Sequence, residues 1–160
     1  MKFLLKDNIS IIKKVKVERK KIVFTNGCFD LLHVGHIRYL AQAKKLGDFL
    51  IIGLNSDSSV KALKGKDRPI NSFEDRAVLL SALTSVDLVI IFEELTPENL
   101  IKEIVPDVLV KGGDYNIEDI VGFQTVIQNG GLVKSLSFYD GYSTTTVSYT
   151  HLTLPTSDLV

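Results

Sequence analysis

The stretch whose reading decides the fold is residues 21–54, KIVFTNGCFDLLHVGHIRYLAQAKKLGDFLIIGL. Lys21 to Asn26 is a short apolar-rich segment that ends at a turn, Gly27-Cys28, and predicts a strand. Gly35 to Leu46 has helical spacing and is stopped by Gly47. Phe49 to Leu54 is a continuous apolar run, the pattern of a strand buried on both faces. A strand, a helix and a second buried strand in succession imply parallel pairing through a crossover helix.

The same alternation continues toward the C-terminus. Ser56 to Leu63 predicts a short helix, and Ser72-Phe73-Glu74-Asp75 is a capping-box pattern opening a helix to about Leu83. Val86 to Phe92 is a third strand. Thr96-Pro97 supplies an N-cap and a first-turn proline for a helix to Val105. Val108 to Val110 is a fourth strand. Ile120 to Gln128 is a helix stopped by Asn129-Gly130-Gly131, and Leu132 to Phe138 is a fifth strand. Toward the N-terminus, Ile9, Ile12 and Val15 have helical spacing, and the basic run ending at Lys21 reads as a solvated connection. The expected fold is one α/β domain, Rossmann-like, with a five-stranded parallel sheet and helices on both faces. Its expected limits are a leader at 1–20, the domain at 21–146 and a tail at 147–160. In such sheets ligands bind beyond the carboxyl ends of the strands, where strand order reverses. That directs attention to Gly27 to His36, Asn55 to Asp57, Lys111 to Tyr115 and Asp140 to Thr145.

Composition narrows the function classes. The 160 residues are 45% hydrophobic and 24% charged, which excludes disorder across the chain. Nineteen basic residues balance nineteen acidic ones, so no general attraction to nucleic acid or anionic lipid is expected and phosphate binding must come from local arrangement. The single cysteine, Cys28, permits no internal disulfide. Apolar runs are too short for a membrane span and Met1 to Asn8 has no secretory pattern, so a cytoplasmic protein is expected.

Chemistry concentrates between Thr25 and His36. A helix start presents free backbone N–H groups and partial positive charge, both favourable to phosphate. Gly27 allows a sharp turn or close approach to a ligand. Gly35 removes the side chain between His33 and His36, which are three apart and share a helical face, so two imidazole donors can meet one set of phosphate oxygens. A capping or surface role is the ordinary alternative for a lone histidine; the pair, beside glycines after a buried strand, favours function. Zinc is not expected, because Cys28, His33 and His36 have no second matching pair. Asp30 is a metal-binding or orienting group on one reading and a turn cap on the other. Lys64, Lys66 and Arg68 lie in a Gly- and Pro-punctuated loop that could close over phosphates or remain an ordinary solvated loop. The ordinary role for Arg76, on a helix with Ala77, Leu79, Leu80 and Leu83, is a salt bridge to a neighbouring carboxylate. Gly112-Gly113 could be a plain turn or could turn backbone N–H groups toward a base or phosphate. Ser143 to Thr145 could be no more than an N-cap.

Gly27-Cys28-Phe29-Asp30-Leu31-Leu32-His33-Val34-Gly35-His36 resembles the first motif of the cytidylyltransferase-like nucleotidyltransferase superfamily. Asp75-Arg76, Lys111-Gly112-Gly113-Asp114-Tyr115 and Gly141-Tyr142-Ser143-Thr144-Thr145 resemble its later motifs, in order. Together with Gly53-Leu54-Asn55-Ser56-Asp57, the set is most similar to the heptose 1-phosphate adenylyltransferases, and to the adenylyltransferase half of the two-domain kinase/adenylyltransferases, over about residues 21 to 146. The resemblance implies transfer of AMP from ATP to a heptose 1-phosphate, with pyrophosphate released and Mg²⁺ accompanying the nucleotide. It implies His33, His36 and Arg76 in catalysis. It implies Asn26, Gly27, Cys28, Phe29, Asp30, Gly35, Lys111, Gly112, Gly113, Asp114, Ser143, Thr144 and Thr145 around the nucleotide. It implies Asn55, Asp57, Lys64, Lys66 and Arg68 around the sugar phosphate. No metal site built by side chains is expected. The expected partners are ATP and a sugar 1-phosphate, with a homodimer as the assembly. A cytidylyltransferase for glycerol 3-phosphate or another phosphorylated alcohol, or a nucleotide-binding protein without turnover, are the alternatives.

After Thr145 the resemblance ends. The family pattern calls for an apolar-periodic helix, whereas Val147 to Val160 is rich in β-branched residues and contains Pro155. These residues are set aside from the fold as a non-native tail.

Overall fold

Five strands form one sheet, β1 (Ile22–Gly27), β2 (Phe49–Asn55), β3 (Leu88–Phe92), β4 (Val108–Gly112) and β5 (Leu132–Leu136). Every adjacent pair is parallel, in the order β3-β2-β1-β4-β5. The computed structural model describes residues 2–137. The tail, the Ser143-Thr144-Thr145 motif and Phe138 lie outside the described residues.

The apolar runs explain the layering. Successive side chains of a strand point to opposite faces, so Ile22 and Phe24 enter one core while Val23 enters the other. Ile51 and Leu109 likewise face the first core, and Leu50, Ile52, Val108 and Val110 the second. The first core is covered by α1 (Leu5–Val17) through Ile12 and Val15, by α5 (Glu98–Ile104) through Leu100, Ile101 and Ile104, and by α6 (Phe123–Gln128) through Val126. The second is covered by α2 (Val34–Lys44) through Tyr39, Leu40 and Ala43, and by α4 (Phe73–Ser81) through Ala77 and Leu80. A shorter helix, α3 (Asp57–Lys64), follows β2 and buries Val60.

The expected elements are all present, with shifted boundaries. The leading helix begins at Leu5 and belongs to the domain, because Ile12 and Val15 pack in the first core; residues 18–21 after it are exposed, as expected. Thr96 does not cap α5: the N-cap is Pro97 and the helix starts at Glu98. The helix expected from Ile120 to Gln128 starts only at Phe123, as α6, and is preceded by a 3-10 turn, Ile117–Asp119. Gly122, the N-cap of α6, has φ of 93°, and a Cβ there would lie 2.6 Å from Ile101 Cδ1.

Candidate active site

The chain runs β1 to β3 on one side of the sheet and returns to β4 and β5 on the other, so strand order reverses between β1 and β4. A cavity of about 460 Å³ opens there, beyond the carboxyl ends of the strands. Of the expected site residues, Asn26, Gly27, Cys28, Phe29, His36, Asn55, Lys64, Lys111 and Gly112 line it.

The phosphate end is built around the start of α2. His33 is the N-cap and His36 the third helical residue, joined in a capping box. The backbone N–H of His33 donates to His36 Nδ1 at 3.3 Å. That bond fixes the tautomer: a neutral His36 carries its proton on Nε2, the nitrogen left to donate to a ligand. The two rings stack with centroids 3.8 Å apart and planes at 21°. Phe29 meets His36 edge-on at 5.2 Å. To reach that position Phe29 adopts a left-handed backbone, φ 45°, which is costly for an aromatic residue. Gly27 clears the space, since a Cβ on it would lie 2.9 Å from the Phe29 ring. The glycine, the strained Phe29 and the histidine pair thus form one packed unit.

Burial, followed by the charges of His33 and Lys64, lowers the His36 pKa to about 4. Burial lowers His33 as well. Both imidazoles are therefore neutral donors at neutral pH. The Lys64 effect on His36 also places that ammonium near the pair. Lys111, at the end of β4, is held below the usual lysine range by burial, with Cys28 opposing the shift. The Cys28 thiol is pushed up by burial, against the pull of Lys64, Arg76 and Lys111.

A pH prediction follows from His36. Its folded pKa lies below the unfolded value of 6.5, so the unfolded chain binds the proton first. Stability is full above about pH 6.5 and falls as pH drops toward 4, by roughly 3 kcal/mol for a shift of this size. Asp30, whose pKa is lowered, contributes its loss only below that window. Denaturant unfolding at several pH values should show the parent weakening between pH 6.5 and 4, and His36→Gln should flatten that slope. A slope equal in both chains contradicts the burial argument.

Several expected residues do not face the cavity. Asp30 is fully buried, and its carboxylate accepts from Arg68 Nη1 at 2.8 Å, Ile70 N at 2.8 Å and Asn71 N at 3.1 Å. Burial alone would raise its pKa, but these donors outweigh it. Its metal-binding reading is corrected: the oxygens are taken by protein donors, and Asp30 orients the loop across from it. Arg68 is correspondingly paired with Asp30. Arg76 is 1% exposed and donates to the carbonyls of Asn71, Cys28 and Asn55 and to Asp57 Oδ1. The salt bridge to a neighbouring carboxylate is therefore the role its geometry displays, rather than a direct phosphate contact. Lys66 is exposed, and it, Gly35, Gly113 and Asp114 lie off the cavity wall, as does His33 beneath His36.

The structure adds wall residues that the sequence reading passed over: Tyr39, Leu63, Leu95, Thr96, Pro97, Asp119, Ile120 and Val121. Tyr39 was legible, being one helical turn beyond His36 on the same face. Its hydroxyl lies 2.6 Å from Thr25 Oγ1, which joins α2 to β1. Leu95 to Pro97 follow the end of β3, a strand end omitted from the candidate segments. Among the described residues no group of three or more His, Cys, Asp or Glu is placed to hold a metal, and no helix is long and apolar enough to cross a membrane.

A switch-point cavity with a paired-histidine helix start and two lysines on its wall is that of a Rossmann-like nucleotidyltransferase. The chain belongs to the cytidylyltransferase-like family, whose model matches residues 24–148. It is 62% identical over 135 residues to the bifunctional protein HldE of Haemophilus ducreyi, covering 84% of this chain and 28% of that protein. It is 55% identical over 142 residues to the bifunctional protein HldE of Marinomonas sp., covering 89% of this chain and 30% of that protein. The chain thus spans less than a third of those relatives. A crystal structure of the lipopolysaccharide core biosynthesis protein from Thermoplasma volcanium superimposes with a TM-score of 0.61 at 31% identity, covering 78% of this chain and 99% of that one.

Proposed function

We propose that the chain transfers AMP from ATP to D-glycero-D-manno-heptose 1-phosphate, giving ADP-heptose and pyrophosphate for lipopolysaccharide core synthesis. The observation that carries the reading is His36, buried and neutral, with its free Nε2–H at a cavity that Lys64 and Lys111 also line. The nucleophile is an oxygen of the sugar phosphate, already ionised at neutral pH. It bonds to the α-phosphorus as the bond to the bridging oxygen breaks, and pyrophosphate leaves with that electron pair. No enzyme base is required. Positioning and charge stabilisation supply the catalysis. His36, held by His33, donates to phosphate oxygens, while Lys64 and Lys111 offset charge on the polyphosphate. Mg²⁺ fits this site through phosphate oxygens and water, which is its usual mode with nucleotides. The motif resemblance to the heptose 1-phosphate adenylyltransferases supports the acceptor, the name of the lipopolysaccharide core protein supports the place in core synthesis, and a second copy of the chain is the proposed assembly partner.

The test is pyrophosphate release with ATP or CTP across heptose 1-phosphate, glycerol 3-phosphate and other phosphorylated alcohols. ATP with heptose 1-phosphate is expected to give the highest kcat/KM. Equal or better turnover with CTP and glycerol 3-phosphate would replace this reading with a cytidylyltransferase. ATP binding without pyrophosphate release from any acceptor would make it a nucleotide-binding protein.

A further inference from the structure

Asp30 carries a charge that the chemistry above does not use. It is fully buried, yet among the described residues the donors to its carboxylate come from one distant loop: Arg68 and the backbone amides of Ile70 and Asn71. The same pair of segments is joined a second time, since Asn71 Nδ2 donates to the Asp30 carbonyl at 2.9 Å. Asp30 sits three residues before His33, in the turn that leads into the phosphate-binding helix start. The loop it holds begins at Lys64, which ends α3 and lines the cavity. Beyond Lys64 that loop is otherwise exposed from Gly65 to Asp67, and Gly65 has φ of 110°, so little packing fixes its path.

We infer that Asp30 is a positioning residue: its carboxylate latches the 68–71 segment to the β1–α2 turn and thereby sets Lys64 against His36. A buried carboxylate accepting charge-assisted bonds is a strong, directional tie. A long, flexible lysine is a useful phosphate contact only if its stem starts from a fixed place. The tie to catalysis rests on the proposed reading of Lys64 as a phosphate contact; the tie between the two loops does not.

The experiment is a double-mutant cycle with Asp30→Asn and Lys64→Ala, read by ATP dissociation constant and by kcat/KM, with amide hydrogen exchange at Ile70 and Asn71. Asp30→Asn keeps the shape and loses the charge. It should speed exchange at both amides roughly tenfold, as expected when a charged acceptor becomes neutral. It should lower kcat/KM on the order of 10- to 100-fold in the parent, the usual penalty for a misplaced contact. On top of Lys64→Ala it should cost no more than about twofold, because the contact it positions is already gone. Arg68→Gln removes the other half of the pair and should reproduce the pattern if Asp30→Asn folds poorly. Losses that add fully in the double variant, or unchanged exchange at Ile70 and Asn71, overturn the inference. A parent that fails to bind ATP overturns the proposed function, and the exchange measurements then decide the latch alone.

Discussion

His36→Ala is expected to lower turnover on the order of 100-fold or more while changing ATP affinity only a few-fold. Charge on the oxygens around the α-phosphorus is redistributed as pyrophosphate departs, and a donor fixed there acts more on the transition state than on bound ATP. His36 meets the structural requirement for such a donor. Its Nδ1 is committed to the His33 amide, its ring is held between His33 and Phe29, and burial keeps it neutral with the proton on Nε2. A neutral donor reaches the phosphate without the desolvation cost of a buried cation. His36→Gln keeps a donor but loses the stacked ring, and should fall between the parent and alanine. The measurements are kcat from pyrophosphate release and the ATP dissociation constant by calorimetry. Turnover within a few-fold of the parent would remove His36 from the chemistry. A loss confined to ATP affinity would make it a binding residue only.

That His36 could be picked out from sequence, while the groups that Asp30 and Arg76 meet could not, has a physical basis. Apolar runs mark the strands and the layers through local pattern, so a buried strand such as Phe49–Asn55 is visible in one dimension. The histidine spacing is also local, because one helical turn joins His33 to His36. Asp30 and Arg76 act over tens of residues in sequence, through contacts that close only when the sheet is assembled. Nothing near Asp30 announces that its carboxylate will meet the amides of Ile70 and Asn71. The wall at Ile120 and Val121 was hidden for a similar reason: local spacing placed both in a helix, whereas the left-handed Gly122 is the N-cap and the helix starts after it.

Arg76→Met should be the most destabilising single change at the site, by about 3–5 kcal/mol, the range for removing one partner of a buried charged network. The side chain lies on α4 at 1% exposure, under the loops that form the cavity. Nε donates to the Asn71 carbonyl at 3.0 Å, Nη1 to those of Cys28 at 2.7 Å and Asn55 at 2.8 Å, and Nη2 to Asp57 Oδ1 at 2.7 Å. One guanidinium therefore ties together the turn after β1, the end of β2, the first turn of α3 and the approach to α4. Methionine fills much of the volume but leaves three carbonyls without this donor, each costing about 1–3 kcal/mol where water cannot replace it. Asp57 is 45% exposed in its side chain and loses less, since solvent can take over. Arg76→Lys should recover only part of the loss, because an ammonium cannot span the planar fork's acceptors. Urea unfolding of the three chains gives the stabilities directly, and ATP affinity measured well below the transition separates folding from binding. A Met variant within about 1 kcal/mol of the parent but with sharply weakened ATP binding would return Arg76 to the phosphate-contact role. The expected result is the reverse, a large loss of stability, with ATP binding impaired because Cys28 and Asn55, which line the cavity, are no longer held in register.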